Sequence, residues 1–397
     1  MPVTVRAVAS ADDLQSFLQL TSRLHRKEPC WIPPIPEMYA RVLSREANPY
    51  FQHADAECFI AWQDGEAVGH IVAHIDHALN EYQRNRWGLF GFFEAADDQA
   101  VATALVDAAA GWLGDRGRDR MVGPLQFSTK EDPGLLIEGC DRRPVVLQPW
   151  HPHHYRRLLE GAGLTKAKDV LWREVVVDGL PPEVLARASL WAPPITTRQG
   201  VTIRSPGTET MADDLERVLR FMPSMFGSDW GYVPWTDAEL AGGLGMAMSL
   251  AGPGTLLAEL DRELIGASML VPDLRQTLHN DDGRLARSDG PIDQARLMFM
   301  AVSPEHRRLG IMPALMSLHL ADARRRGLRR MVIGWSYEDN ELVNAGMARL
   351  GIEVALRHRI YEKVLSPSAP SEPSEPAPAD PTASAYTTDS LTPSRPR

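Results

Sequence analysis

The chain reads as an α/β protein, more narrowly an α+β unit on a mixed sheet, built twice in tandem. Three observations carry that reading. Apolar runs of strand length alternate with stretches of helical period along the first 365 residues. The order of these elements repeats on either side of a proline-punctuated passage that runs from Asp178-Gly179-Leu180-Pro181-Pro182 to Ala192-Pro193-Pro194. From Ser366 to Arg397 the residues are almost wholly Pro, Ser, Ala, Thr and acid, a composition that cannot offset its own ordering entropy. The predicted organisation is an N-terminal domain at 1–178, a linker at 179–200, a C-terminal domain at 201–365 and a disordered tail at 366–397.

In the first half the pattern predicts a strand at 3–7, a helix at 11–19, a proline-rich passage, and strands at 56–62 and 67–75 around the turn Asp64-Gly65. A strand at 87–93, a helix at 97–115, a strand at 119–122, a helix at 152–162 and a strand at 169–177 complete it. The second half opens with a strand at 201–204 and helices at 211–222 and 236–250, with Thr236 or Asp237 as N-cap. Strands at 255–260 and 264–270 follow, joined by Asp261-Arg262-Glu263, and then a polar excursion at 272–294. The half ends with a strand at 295–302, a helix at 313–326, a strand at 330–335, a helix at 339–350 and a strand at 356–364. With the proline-rich passage of the first half standing where the second half has its second helix, each half follows the order β-α-α-β-β-β-α-β-α-β, which an internal duplication explains.

Composition narrows the function classes. The 397 residues suit two domains, 44% are hydrophobic and 24% charged, and the net charge of −10 does not suit a nucleic-acid partner. Cys30, Cys58 and Cys140 are scattered, so neither a disulfide framework nor a structural zinc site is expected. No apolar run is long enough to span a bilayer and the N-terminus lacks a signal-peptide pattern. The expectation is a cytoplasmic protein without a membrane partner, as a monomer or homodimer.

The chemistry concentrates in Val302-Ser303-Pro304-Glu305-His306-Arg307-Arg308-Leu309-Gly310-Ile311-Met312-Pro313, which follows the apolar run Leu297–Ala301. It reads as a buried strand, a basic glycine-containing turn and a helix opening at Pro313. Backbone N–H groups from Arg308 through Leu309, Gly310, Ile311 and Met312, with the helix dipole and the Arg307 and Arg308 guanidiniums, make a site for a pyrophosphate. Arginines at a helix start oppose the dipole unless an anion is present. The first half carries Glu94-Ala95-Ala96-Asp97-Asp98 at the matching place, which would repel that ligand, so only the second half is expected to bind it.

This loop together with the order of elements resembles the GNAT acetyltransferase superfamily, whose signature V-x-P-x-x-[RQ]-x-x-G-x-[GA] stands here as Val302, Pro304, Arg307, Gly310 and Met312. A second family feature, an Asn eleven residues before the Gly that ends the next helix, stands as Asn340 ahead of Gly351. Asn48-Pro49-Tyr50-Phe51-Gln52-His53-Ala54, Gly91-Phe92-Phe93-Glu94, Trp230-Gly231-Tyr232-Val233-Pro234 and Arg359-Ile360-Tyr361-Glu362-Lys363 resemble two-lobed bacterial members. The resemblance implies transfer of an acetyl group from acetyl-CoA to an amine on a small-molecule or peptide acceptor, by direct attack in a ternary complex and without a metal. It further implies that the Met300 N–H polarises the thioester carbonyl, that Val302 bonds the pantetheine arm, and that Asn340 contributes to cofactor binding. Met312 departs from the signature's small residue. Met347 stands where many relatives have the tyrosine that protonates the thiolate, which leaves Tyr337 as the nearest acid in sequence.

For the general base the sequence offers Glu338, with Asp339, Glu259 and Asp229 as further candidates and Asp339 also placed to cap the next helix. His151-Pro152-His153-His154 lacks the acidic or thiol partners a metal needs and reads as a helix start near His153. Trp230, Tyr232 and Trp235 with Met222, Met225 and Phe226 form an apolar cluster that core packing explains by default. Two rival readings stay open. A longer acyl chain could be accommodated by Met312, Met347 and that cluster, or a non-catalytic module could sense acyl-CoA. The polar excursion, with His279, Asn280, Asp281 and Asp282, is expected beside the predicted cleft.

Overall fold

The computed structural model describes residues 2–127, 133–180, 200–251 and 254–365, with Glu183 and Ala186. The tail at 366–397 and most of the predicted linker lie outside them.

The first half contains β1 (Thr4–Ala7), α1 (Ala11–His25), α2 (Pro36–Leu43), β2 (Ala54–Gln63), β3 (Glu66–Asp76), α3 (His77–Gln83) and β4 (Trp87–Ala95). It continues with α4 (Gln99–Gly114), β5 (Arg120–Gly123), β6 (Leu135–Glu138), α5 (His154–Gly161) and β7 (Thr165–Val176). The second half contains β8 (Val201–Arg204), α6 (Met211–Phe226), α7 (Asp237–Ala251), β9 (Thr255–Leu260), β10 (Glu263–Pro272) and the hairpin β11 (Leu278–Asp281) and β12 (Arg284–Arg287). It ends with β13 (Gln294–Val302), α8 (Ile311–Arg325), β14 (Arg330–Tyr337), α9 (Glu341–Arg349) and β15 (Val354–Val364).

Local chemistry accounts for the helices. Ser10 and Asp98 cap α1 and α4 by accepting from the amides of Asp13 and Ala100. In α4, Val101, Ala102, Leu105, Val106, Ala109 and Leu113 recur at helical spacing and are wholly buried. That helix lies so close to the sheet that a Cβ on Gly88 would sit 2.5 Å from the Leu113 side chain.

Twelve strands follow one path across a 13-stranded sheet, in the order β1-β2-β3-β4-β5-β15-β7-β14-β13-β10-β9-β8, and β6 joins it by pairing with β15. The final strands of the two halves are exchanged. β15, from the second half, lies between β5 and β7 of the first; β7 lies between β15 and β14. Asp169 on β7 fixes this centre by pairing with Arg359 at 2.8 Å and Arg357 at 3.3 Å on β15. Trp172 and Ile360, from the two exchanged strands, are wholly buried in one shared core.

Each half also reaches over the other through the connection that follows its third strand. From α3, the Tyr82 hydroxyl donates to the Gly227 carbonyl at 3.1 Å and Gln83 Nε2 to the Tyr232 carbonyl at 2.7 Å. From the hairpin β11–β12, Asn280 Nδ2 donates to the carbonyls of His25 and Glu28, each at 3.1 Å. The polar excursion therefore serves the first half, not the cleft of its own half where the sequence placed it. The cause is the strand exchange, invisible in a linear pattern.

Candidate functional site

β13 and β14 run parallel and pair from Gln294–Arg330 to Leu297–Ile333, after which they part. On its other edge β13 pairs with β10 through a bulge at Met298, since Phe299 faces Met269 while Leu297 faces Leu270. The ladder with β14 ends at Leu297–Ile333, so the backbone of Phe299 to Val302 has no β14 partner in it. Val302 is anchored in a small core with Ile311, Ala314 and Leu315; Met300 is half-buried at its rim.

The chain then turns through a short 3-10 stretch, Pro304–Leu309, pinned by a 2.6 Å contact between Ser303 Oγ and His306 Nδ1. Gly310 takes the left-handed conformation, φ 71° and ψ 19°, that glycine adopts without strain, and α8 starts at Ile311. The sequence placed the start at Pro313, but proline is tolerated anywhere in a first helical turn because that turn's N–H groups have no intrahelical partner. The amides of Ile311 and Met312 point out of the helix end, which no side chain caps. Arg307 and Arg308 are exposed with no ion-pair partner among the described residues, while Leu309 is half-buried and Met312 is 38% exposed. An uncapped positive helix end flanked by two unpaired guanidiniums fits a diphosphate.

The first half lacks this arrangement. Its β4 and β5 pair only through Leu89–Val122, but the gap beyond is closed where the Leu125 amide donates to the Phe90 carbonyl at 2.7 Å. A Cβ on Gly91 would sit 2.0 Å from the Leu125 carbonyl oxygen. The N-terminus of α4 is already capped by Asp98.

The side chains at the end of β14 are heavily committed. Glu338 accepts from Lys166 Nζ at 2.6 Å and from the Asp169 amide at 3.0 Å. The Tyr337 hydroxyl is buried and donates to the Trp230 carbonyl at 3.1 Å; burial, with Asp229 and Asp339 nearby, pushes it well above the usual tyrosine range. Asn340, not Asp339, caps α9, accepting from the Val343 amide at 3.2 Å. Asp339 instead pairs with Lys168 Nζ at 2.6 Å, which lowers its pKa. Glu259 is bound by Arg204 at 2.8 Å and Arg217 at 2.7 Å.

Asp229, in the turn after α6, is half-buried, and burial followed by the Asp339 charge raises its carboxyl while Lys168 and Arg307 oppose the rise. It stands within electrostatic reach of both the basic loop and the end of β14. Lys168, above the Tyr337 ring at 5.2 Å and the Trp230 ring at 5.7 Å, escaped the sequence reading because it belongs to a strand of the first half. Trp230 packs at a tilt against Trp87 and against the shared core, as core packing predicted. Met347 packs against the core between α8 and β14.

His151 is buried and accepts from the Leu136 amide at 3.1 Å, and His153 precedes α5. No metal-binding group occurs among the described residues. Nor does any helix there have the length and apolarity to cross a membrane.

A doubled mixed sheet in whose second half the fourth and fifth strands part beside a glycine-led helix defines the class, a tandem acyl-group transferase scaffold. The acetyltransferase (GNAT) family profile matches residues 22–125 and 220–351, more than half of the chain, and the protein belongs to that family, whose members use acyl-CoA as co-substrate. The chain is 28% identical to the bacterial ceramide synthase of Caulobacter vibrioides (strain NA1000 / CB15N), over 91% of this chain and 98% of that protein. It is also 28% identical to protein YghO of Escherichia coli (strain K12), over 90% of this chain and 95% of the relative. Among solved structures, a tandem GNAT protein from the clavulanic acid biosynthesis pathway superposes with a TM-score of 0.55 at 14% identity, over 92% of this chain and all (100%) of the other. That likeness is one of fold.

Proposed function

We propose that the protein is an acyl-CoA-dependent N-acyltransferase whose C-terminal half binds the thioester carrier and joins a long-chain acyl group, rather than the acetyl group expected from the sequence, to the amine of an amphiphilic acceptor. The observation that carries the transferase reading is the uncapped, glycine-led start of α8 beside unpaired Arg307 and Arg308, at the end of a strand that has parted from its neighbour. The long chain is favoured by likeness to a ceramide synthase over nearly the whole length, a ceramide being the amide of a long-chain amino alcohol.

Bound acyl-CoA would supply an activated thioester. Arg307, Arg308 and the amides of Gly310, Ile311 and Met312 hold its diphosphate, and the backbone of Met300 to Val302 orients its arm along the free edge of β13. The proton of the attacking amine passes to Asp229, whose raised carboxyl suits a base better than Glu338, already bound by Lys166 and the Asp169 amide. Solvent protonates the leaving thiolate, because the Tyr337 hydroxyl is spent on the Trp230 carbonyl.

The test is release of free thiol from acyl-CoAs of increasing chain length, with a panel of small and long-chain amines. The expected outcome is turnover that rises with chain length and needs a long-chain amine. Faster turnover with acetyl-CoA restores the acetyl reading, and binding without turnover makes the protein a sensor.

A further inference from the structure

The first half places a buried cation beside the second half's candidate site. Arg173, on β7, pairs in register with Ile333, the residue at which the β13–β14 ladder ends against Leu297. It is 5% exposed, yet only neutral groups meet its guanidinium. Nη1 donates to Ser336 Oγ at 2.9 Å and Nη2 to Asn344 Oδ1 at 2.8 Å, while Ser336 Oγ itself donates to Asn344 Oδ1 at 3.0 Å. No carboxylate pairs with it among the described residues, and burial lowers its pKa with no neighbouring charge opposing the shift. Arg204 and Arg359 stand in contrast, the first bound by Asp214 at 2.7 Å and Glu259 at 2.8 Å, the second by Asp169 at 2.8 Å. A guanidinium keeps its proton even when buried, so Arg173 carries a positive charge without a countercharge among the described residues.

That charge lies on the α8–α9 side of the sheet. Side chains alternate along β7, Trp172 entering the core that Trp230 packs against and Val175 the core beneath α8, and Arg173 falls with Val175. On α9, Asn344 stands four residues after Asn340 and three before Met347, a spacing that puts all three on one helical face. Met347 turns that face toward Leu297 and Ile333, against whose core it packs. Three residues beyond the last β13–β14 pair, Leu297–Ile333, stand Met300 on one strand and Ser336 on the other. On the transferase reading, the thioester at Met300 is thus level with the Ser336–Asn344 pair that holds the guanidinium. Cleavage there leaves a negative sulfur for which no donor has been found. Met347 occupies the place of a tyrosine acid, and the Tyr337 hydroxyl is spent on the Trp230 carbonyl.

We propose that Arg173, supplied by the first half, balances the charge that gathers on the coenzyme sulfur when the thioester is cleaved. This rests on the transferase reading and adds to it the group that stabilises the leaving thiolate. The amine nitrogen bonds to the carbonyl carbon and the carbon–sulfur bond breaks with its electron pair on sulfur. The amine's proton passes to Asp229, and the thiolate then takes a proton from solvent. Arg173 gives up no proton in this sequence. It acts through space, held in place by Ser336 and Asn344, and burial strengthens its field relative to that of a surface arginine. Asn344 is fixed in turn, donating to the Tyr337 and Glu338 carbonyls at 3.0 Å and 2.9 Å. Lys168, the other cation that β7 brings to this half, does not serve the sulfur, because it stands over the Tyr337 and Trp230 rings and pairs with Asp339 at 2.6 Å. The exchanged strand thereby gives the first half a share in the chemistry.

The test compares coenzyme A with desulfo-coenzyme A, which lacks the thiol, by calorimetry on the full chain. An ordinary thiol ionises at about 8.5, so raising the pH from 6.5 to 9 supplies the thiolate. Across that rise coenzyme A should gain on the desulfo compound by about threefold or more, because a nearby cation favours the ionised sulfur. Arg173→Met should abolish the gain and Arg173→Lys should keep it. Asn344→Asp, which sets a carboxylate against the guanidinium at nearly constant side-chain size, should cancel the gain as well. Were Arg173 only a strut between β7 and α9, that added ion pair would leave the gain intact, so this variant decides the matter should Arg173→Met unfold. Arg307→Ala/Arg308→Ala should weaken both compounds alike and keep the gain. Native protein that binds both compounds without any gain at pH 9 overturns the proposal and leaves the transferase reading standing, whereas binding of neither overturns both.

Discussion

The Leu125 amide donates to the Phe90 carbonyl at 2.7 Å, and this one bond separates the two halves of a duplicated fold. It seals in the first half the gap that stays open in the second beyond Leu297 and Ile333. A cofactor arm that binds as an added strand needs the backbone of the fourth strand, and in the first half Leu125 has taken it. The helix that follows tells the same story, with an aspartate cap on α4 and none on α8.

Arg307→Ala/Arg308→Ala should raise the dissociation constant for coenzyme A at least tenfold, since each charge-assisted contact contributes about 1.5–3 kcal/mol. Both side chains are exposed and have no ion-pair partner among the described residues, so the melting temperature should move little. Titration calorimetry at low and high salt reads the effect, and the variant should lose most of the salt dependence. Unchanged affinity would remove the diphosphate assignment.

Asp229→Asn should lower kcat by about 10²–10⁴-fold, the usual contribution of a positioned base, with a small change in KM. Because burial and Asp339 raise the Asp229 carboxyl, the acid limb of the native rate profile should lie above the ordinary aspartate range and vanish in the variant. Glu338→Gln should instead cost stability by releasing Lys166. A native-like profile in Asp229→Asn would transfer the base role elsewhere.

The element order was legible because the strands are continuous apolar runs and the longer helices keep their period. Two short helices were not. α2 and α3 lie in polar or proline-rich surroundings where eight residues or fewer carry little periodic signal. The loop 302–312 was legible as a phosphate site because backbone geometry and charge act locally there. His25 and Tyr155 were missed as partners of Glu94 because they stand 69 and 61 residues away, and nothing in an isolated histidine or tyrosine announces a buried carboxylate across the fold. Lys168 was missed for the same reason, in a more severe form. Strand exchange brings it to the other half's cleft.

That exchange makes the halves interdependent. Residues 1–178 alone would leave the β5 side of β7 without β15, and residues 201–365 alone would leave β14 and β15 without β7 between them. Each exposes unpaired strand edges and a core face built around Trp172 and Ile360. Either fragment expressed alone should aggregate, and the two expressed together should form a soluble complex with the far-ultraviolet dichroism of the intact chain. A folded, monomeric 1–178 fragment would contradict this.

The pH dependence of stability follows from the buried histidines. Burial holds His70, His74, His151 and His319 at about 4 and His358 at about 3, all below the 6.5 of a free imidazole. Between pH 6.5 and about 4 the unfolded chain therefore binds protons that the folded chain refuses, so their contribution is complete above pH 6.5 and drains away as the pH falls. A group displaced this far accounts for up to about 3 kcal/mol, and five of them exceed the margin of an ordinary domain. His53 works in the opposite sense. Hydrogen bonds to Asp76 and then Glu239 raise it to about 9, so its contribution is complete below pH 6.5 and is lost as the pH rises toward 9. The melting temperature should accordingly peak near neutrality, fall steeply from pH 6.5 to 4.5 and decline more gently toward pH 9. His53→Gln should flatten only the alkaline side, whereas a melting temperature constant from pH 7 to 5 would mean that the buried imidazoles reach solvent before the fold opens.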